Sequence, residues 1–455
     1  MNTAVKDKEF YLQLFSIAGP IMVQSLLTSS LSFVDTLMIG QLGGVQIAAV
    51  GLANQLFFLM MLYYFGVTSG SAVFIAQFWG KKDLISIHKT MGICFSFSLA
   101  GALLFTCISL FAPEQAMRMF SPDPLVIASG ASYLRIVGVS YIFSALSLSF
   151  AAALRSTERA KIPMFSTLLS LVVNILLNYL LIFGKMGFPA MGVAGAALAT
   201  AISRGIELVT VVLVTYLRRE AVAGKFAVFF SFDSHFVRVY LVTALPVILN
   251  EIVWSLGMVA YKMVFARMGT PVIAAANVVE SIQNLFFVVF AGTANGSAVM
   301  IGKKIGECKS DIAQLFAAKF LRLSLLLGLI IGVIMFLAAP LIPKAFNLTD
   351  HTALLCSRSL MLLALVLPIK AFNMHTIVGI MRSGGDTRRS LLLELSSVWF
   401  VGVPLALLGG LYLQMPLYLL YLLISIEELY KMIISYLRIR SGRWIHNLTH
   451  SVESS

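Results

Sequence analysis

Apolar runs long enough to cross a bilayer follow one another along nearly all of the 455 residues, separated by short polar connections. That pattern leaves few folds open. A helix needs about 20 predominantly apolar residues to span the hydrocarbon core. Only helices and closed barrels satisfy their own backbone hydrogen bonds there. Barrel strands would read as alternating segments of about ten residues, and these runs do not alternate. The sequence therefore predicts an all-α membrane protein with twelve transmembrane helices, at 11–34, 50–76, 91–112, 130–154, 163–184, 192–216, 238–265, 275–300, 316–340, 357–381, 390–412 and 415–437. Composition agrees. Only 12% of residues are charged, against about 25% in an average soluble domain.

The formal net charge of +13 raises the question of nucleic acid, but the basic residues are distributed as membrane topology demands. Lys81, Lys82, Lys89, Arg155, Arg159, Lys161, Arg218, Arg219, Lys225, Lys303, Lys304, Lys309, Arg382, Arg388 and Arg389 gather in the loops on one side. The opposite loops hold Arg118, Lys185, Arg267 and Lys344. Cytoplasmic loops carry the Lys/Arg excess, so both termini are predicted to be cytoplasmic, in a multi-pass protein of the plasma (inner) membrane. The polar stretch Met1–Phe10 predicts that the first span directs insertion, with no cleavable signal peptide. Cys94, Cys107, Cys308 and Cys356 show no CxxC spacing and read as free thiols.

The chain repeats itself. Pro20 recurs as Pro246, Gly43 as Gly269, Gly80 as Gly306 and Phe120 as Phe346, all at one constant offset. Arg155 recurs as Arg382, with the offset lengthened by a single position. The longest polar connection, about 217–237, lies midway. The expected organisation is an N-lobe of six spans over residues 1–225 and a C-lobe of six spans plus a short tail over 226–455. A duplicated unit with an even number of spans keeps its orientation. The lobes are thus expected to be related by a pseudo-twofold axis along the membrane normal, with a cavity between them.

The order and spacing of these motifs resemble the multidrug and toxic compound extrusion (MATE) family of efflux transporters. The carrying residues are Pro20 followed by Asp35 in "FVDTLMIGQLGG", "LRSTERAKIPM" after span four and "MRSGGDTRRS" after span ten. The similarity covers roughly residues 10–440. It implies two six-helix bundles forming a V, alternating access, and export of organic cations or drugs in exchange for Na+ or H+, with no other cofactor.

Ionisable groups inside spans are costly and are functional candidates for that reason. Asp35 closes span one. Asn174 and Asn178, four residues apart in span five, share a helix face. With the resemblance, Asp35, Asn174, Asn178, Thr200 and Tyr141 form the expected N-lobe cation or proton coupling set. Tyr141 is expected to hydrogen-bond the carboxylate, and Asp35, Asn174 and Asn178 are the candidate Na+ ligands. Some relatives carry a carboxylate where this chain has Asn178. Pro20 and Pro246 are candidate helix hinges.

Glu251 lies five residues after Pro246 and about 16 Å along a straight helix from Lys262, so its partner must come from another helix. In the NorM-type branch a glutamate here belongs to a C-lobe cation site completed by an aspartate in span ten. This chain has no aspartate there, and Asn373 or His375 is the candidate substitute. Arg204 and Glu207, three apart in span six, are expected to pair. Lys370, Glu394, Glu427, Glu428 and Lys431 are expected to snorkel or pair near span ends. Glu280, Gln283 and Asn284 are candidate cavity-lining residues, and the 33 Phe and 14 Tyr suit flat cations or lipid equally.

No GxxxxGK[ST] loop, HExxH or GxSxG motif occurs, so neither an ATPase engine nor an enzyme is expected. Two other readings stand beside the transporter. One is a lipid-linked oligosaccharide flippase of the wider superfamily; the other is a non-transporting membrane scaffold. Two lobes in one chain make a monomer sufficient, with the lipid bilayer and small organic cations as partners and no nucleic acid.

Overall fold

The computed structural model describes residues 3–346 and 348–453. The two chain ends, whose side of the membrane the sequence predicts, lie outside the described residues. The chain divides into two compact units, Met1–Tyr240 and Leu241–Ser455.

The first unit contains α1 (Thr3–Gly40), α2 (Gly44–Lys81), α3 (Leu84–Phe111), α4 (Pro113–Arg118), α5 (Pro124–Val137), α6 (Ser140–Ser156), α7 (Lys161–Phe183), α8 (Val193–Leu217) and α9 (Phe226–Phe229). Span four, expected as one helix over 130–154, is instead the pair α5 and α6, bent by 51°. Gly138 sits at the break, against Ser109 of α3. The first unit packs around Ala49, Ala53, Met60, Tyr64, Leu134, Tyr141 and Ala197.

The second unit is entered along α10 (Ser234–Arg267) and continues through α11 (Thr270–Gly306), α12 (Ser310–Ala338) and α13 (Asp350–Met374). A π-helical turn, His375–Met381, extends α13. Span eleven is α14 (Thr387–Ser397) and α15 (Val403–Leu407), joined and followed by the π-helical turns Val398–Gly402 and Leu408–Tyr412. Span twelve is α16 (Leu417–Ile424) and α17 (Ile426–Arg440), interrupted at Ser425. A short α18 (Leu448–Glu453) ends the described chain.

Among the described residues, ten helices are long and apolar enough to cross a bilayer, and the bent α5–α6 pair makes an eleventh. The twelfth, expected at 415–437, is α16–α17, divided at Ser425 into helices of 8 and 15 residues, neither of which crosses a bilayer alone. The protein is thus an all-α membrane protein of twelve spans in two bundles. Exposed Leu103, Leu104, Val209, Leu329 and Leu337 cover its outer faces. An apolar exterior of this kind is stable only against lipid, since water would leave it uncovered.

The duplication is visible in backbone geometry. Gly43 and Gly269 open α2 and α11 with φ of 125° and 119°, a region that only glycine enters at no steric cost. Lys82 and Cys308, related by the same offset as the two prolines, both adopt left-handed φ, at 63° and 57°. Glu158 and Gly385, related by the offset of the two arginines, do so at 64° and 78°. The same turns therefore follow the second and fourth spans of each unit.

The tail folds back onto its own unit. Trp444 is fully buried and its Nε1 donates to Gln314 Oε1 at 2.8 Å. Asn447 Nδ2 donates to the Ile305 carbonyl at 3.2 Å. Asp386, in the turn before α14, accepts from Arg438 Nε at 2.6 Å and Nη2 at 3.2 Å, with His446 Nε2 3.7 Å away. Burial alone would raise the Asp386 carboxyl. The hydrogen bonds of His446 and Arg438 more than offset it and hold it below its ordinary value.

A Cβ on Gly195 would lie 2.6 Å from the Leu181 carbonyl oxygen, which is backbone and cannot swing aside. Gly195→Ala should therefore cost about 1–3 kcal/mol through overpacking, read as a lower thermal unfolding midpoint in detergent. Gly205→Ala, whose Cβ would meet the Phe143 ring at 3.6 Å, should leave it unchanged. The tail contacts generate a pH dependence as well. Because the folded Asp386 carboxyl is depressed, its stabilisation is present above the unfolded carboxyl value of about 4 and lost as pH falls through the folded value. Cleavage beside the buried Trp444 by pepsin, a protease active in acid, should rise across that window relative to Asp386→Asn, in which there is no carboxyl to titrate.

Candidate functional site

The first unit concentrates its polar side chains on α1, α6, α7 and α8. The faces of α7 that meet α1 and α8 are lined by Ser166, Thr167, Ser170, Asn174 and Asn178, all buried. Thr167 and Asn178 find partners across a helix boundary, on α1 and α8, whereas Asn174 bonds only to Asn178 of its own helix.

Asn178 Nδ2 donates to Asp35 Oδ1 at 2.5 Å and to Asn174 Oδ1 at 2.9 Å. The helical spacing of the two asparagines thus joins them to each other, and Asn178 alone bonds the acid at the end of α1. Two buried atoms of this trio have no partner, the Asn178 Oδ1 acceptor and the Asn174 Nδ2 donor. Arg204 of α8 and Tyr133 of α5 lie within electrostatic reach of Asp35. Thr200 lies near Tyr133, whose hydroxyl donates to Asn54 Oδ1 at 3.5 Å. Tyr133 is a site residue that the sequence reading passed over. It lies on α5, whose bend against α6 carries it inward, and no spacing pattern announces a bend.

Tyr141 does not bond the carboxylate. Its buried hydroxyl faces Ser109 and makes no hydrogen bond. The break between α5 and α6 turns it into the α2–α3 side of the bundle, where Tyr64 donates to its carbonyl at 3.2 Å.

A second network lies along the same helices. Arg155 Nη1 donates to Gln24 Oε1 at 3.2 Å, and Gln24 Nε2 donates to Thr167 Oγ1 at 3.1 Å. Thr167 in turn donates to Glu207 Oε1 at 2.7 Å, and Arg204 binds the other oxygen of Glu207 at 2.8 Å. The Arg204–Glu207 pair is the one that the three-residue spacing predicts. Gln24 and Thr167 are bridging residues visible only once α1 and α7 are packed.

The second unit repeats the arginine contact with a different partner. Arg382 Nη2 lies 2.6 Å from Glu251 Oε1, with both side chains buried. Arg382 is the counterpart of Arg155, and Glu251 stands one residue beyond the counterpart of Gln24. The partner of Glu251 does come from another helix. It is not Asn373 or His375. Asn373 Nδ2 donates to Glu428 Oε2 at 2.7 Å and to its backbone carbonyl at 2.8 Å. His375 Nδ1 lies 2.8 Å from the Ala371 carbonyl, and its Nε2 has no partner. The C-lobe set expected from sequence is therefore split. Lys262 pairs with Glu280 at 2.8 Å.

Of the two arrangements expected for the charges near span ends, snorkelling or pairing, Lys431 and its acids take pairing. Glu394, Glu427 and Lys431 are buried, and Lys431 Nζ lies 2.9 Å from Glu394 Oε1. Interruption at Ser425 lets α17 turn these groups toward α13 and α14 rather than toward lipid headgroups.

Both proline-started halves are also what comparison with known proteins detects. The MatE family profile matches residues 20–180 and again residues 246–408. This chain belongs to the MatE family. The uncharacterized transporter YisQ of Bacillus subtilis (strain 168) is 28% identical over 453 residues, covering 98% of this chain and 97% of YisQ. A probable multidrug resistance protein NorM of Thermotoga maritima is 23% identical over 440 residues, covering 95% and 92%. Among solved structures, the Vibrio cholerae MATE transporter VcmN superposes with a TM-score of 0.87 at 17% identity, covering 97% of this chain and 99% of that one. A MOP superfamily transporter from Pyrococcus furiosus gives 0.84 at 20% identity, covering 97% and 96%. These likenesses carry the fold.

The arginine contacts set up a measurable contrast. Removing Glu251 leaves a guanidinium buried without its counter-charge, so Glu251→Ala should cost about 3–5 kcal/mol. Gln24→Ala removes a neutral acceptor and should cost about 1–3 kcal/mol. Thermal unfolding of the two purified variants in detergent checks the order.

Proposed function

We propose that this chain is a secondary active multidrug efflux transporter of the plasma (inner) membrane, with both termini cytoplasmic. It exports cationic, amphipathic compounds by alternating access, in exchange for Na+ or H+. Membership of the MatE family and relatives named as multidrug resistance proteins support export of drugs. The Lys/Arg asymmetry of the loops supports the orientation.

The observation that carries the coupling reading is the Asp35–Asn178–Asn174 trio. A carboxylate and a carboxamide oxygen are the ligand types that hard cations take. Asn178 Oδ1 is a buried oxygen with no hydrogen-bond donor, beside an acid that Asn178 Nδ2 already orients. A bound Na+ would satisfy that oxygen. A proton on Asp35 would serve the same end by turning an acceptor-only group into a donor. Tyr133 and Thr200 set the field around the acid, and Arg204 offsets its charge. Pro20, on the same helix, interrupts the backbone ladder of α1 and is the proposed hinge; Pro246 is its counterpart in α10. Glu251 is assigned to the ion pair with Arg382 and enters coupling only if that pair opens. A monomer suffices.

Purified protein in liposomes, given ethidium and then a Na+ gradient alone or a pH gradient alone, tests the reading and names the ion. Asp35→Asn should reduce gradient-driven efflux to the level of protein-free vesicles while the protein remains folded and inserted. Undiminished efflux in that variant would overturn the role of Asp35. Absence of ethidium movement under either gradient in the unaltered protein would count against export of organic cations.

A further inference from the structure

We propose that the second unit carries its own acid site, which binds and releases one proton and is centred on Glu427 and Tyr261. Its part in transport rests on the coupling reading above; its existence does not.

Four helices bring the groups together. Glu427, Glu428 and Lys431 come from α17, Glu394 from α14, Asn373 and Lys370 from α13, and Tyr261 from α10. Lys431 Nζ lies 2.9 Å from Glu394 Oε1 and 3.7 Å from Glu427 Oε1. The Tyr261 hydroxyl donates to Glu427 Oε2. Glu428 accepts from Asn373 and faces Lys431 and Lys370, and Lys370 Nζ is 3.5 Å from Gln283 Oε1. The π-helical turn packed on α17 adds His375, whose Nδ1 is taken by the Ala371 carbonyl, and Met381 of that turn is followed by Arg382, which is taken by Glu251.

Charge counting picks out the proton. Fully ionised, the cluster holds three carboxylates against the two ammonium groups of Lys431 and Lys370. One negative charge is left over where Glu427 is 3% and Glu394 4% exposed. An uncompensated charge buried that deeply is expelled or neutralised, and neighbouring carboxylates meet the demand by keeping a proton between them. Glu394 holds Lys431 closely, and Glu428 has Asn373 and two lysines. Glu427 has Lys431 only at the longer distance, with a neutral tyrosine hydroxyl on its other oxygen. The proton belongs there.

Asn373 supplies an independent sign. Its amide nitrogen donates to two oxygens of Glu428, which fixes which end of the carboxamide is which. Its Oδ1 is then a buried acceptor, in a residue 3% exposed, with no donor in reach. An acceptor orphaned beside three acids calls for an O–H, either of a protonated carboxyl or of a water that the proton organises.

The place of the site in the repeat also matters. By the offset that relates Pro20 to Pro246, Tyr261 is the counterpart of Asp35. A Cβ on Gly402 of span eleven would overlap both the Tyr261 hydroxyl and Glu427 Oε2. By the offset that relates Arg155 to Arg382, Gly402 is the counterpart of Ile175, next to Asn174. The second unit therefore has the same corner as the first, with the asparagine side chain absent and the acid delivered from α17.

Infrared difference spectra of full-length protein in detergent, titrated with pH, read protonated carboxyls directly. Glu427→Gln should remove one protonated-carboxyl band that persists in Asp35→Asn. Tyr261→Phe, which preserves side-chain volume, should shift the titration midpoint of that band. A band unaltered by Glu427→Gln, or a midpoint unmoved by Tyr261→Phe where Glu427→Gln does not fold, would overturn the proposal. In liposomes, Glu427→Gln should lose pH-gradient-driven ethidium efflux. The expected band behaviour in a protein that moves no ethidium under any gradient supports the proton site while overturning the transport reading.

Discussion

A polar group inside a bilayer has only protein to bond to, and the rest of this structure follows from that restriction. Each unit commits an arginine at the end of its fourth span, Arg155 or Arg382, to a side chain four or five residues beyond the proline of its first span. In lipid neither group has water to fall back on. The contact therefore ties the proline-bearing helix to the fourth span at one point. Beyond the proline, the first helix of each unit is held again near its far end, α1 through Asp35 to Asn178 and α10 through Tyr261 to Glu427 and Lys262 to Glu280.

The two units meet this demand with different chemistry. In the first, the arginine takes a neutral glutamine, which passes the interaction through Thr167 to Glu207 and Arg204. Charge is balanced at the far end of a relay, and Asp35 remains outside it, held only by an amide. In the second, the arginine takes Glu251 directly and the balance is local. The leftover acids then collect where α14 and α17 meet, around Lys431 and Lys370. A duplicated scaffold has thus kept its turns and its tie point while moving its free acid from the first span to the last.

Backbone irregularities fall where these networks need them. The first unit breaks span four between α5 and α6, which brings Tyr133 to Asp35 and turns Tyr141 away. The second keeps spans ten and eleven continuous but inserts π-helical turns at His375–Met381 and Val398–Gly402. Such turns shift the register of a helix face by part of a turn and are frequent at functional sites. Here they lie next to Arg382 and at Gly402, beside the ion pair and the acid cluster.

The sequence by itself determined the class, the span count and the repeat, because these depend on hydropathy and spacing along the chain. The shared face of Asn174 and Asn178, and the pairing of Arg204 with Glu207, were legible for the same reason, since each lies within one helix. Partnerships across helices were not. That Gln24 bridges Arg155 and Thr167, that Glu251 meets Arg382 rather than Asn373 or His375, and that α17 buries its acids depends on which helix faces meet. Those faces are set by the bend at Gly138, the interruption at Ser425 and the π-helical turns, which leave no periodic trace in composition. Only the tertiary structure decided where the leftover charge went, because only packing determines which buried groups must satisfy one another.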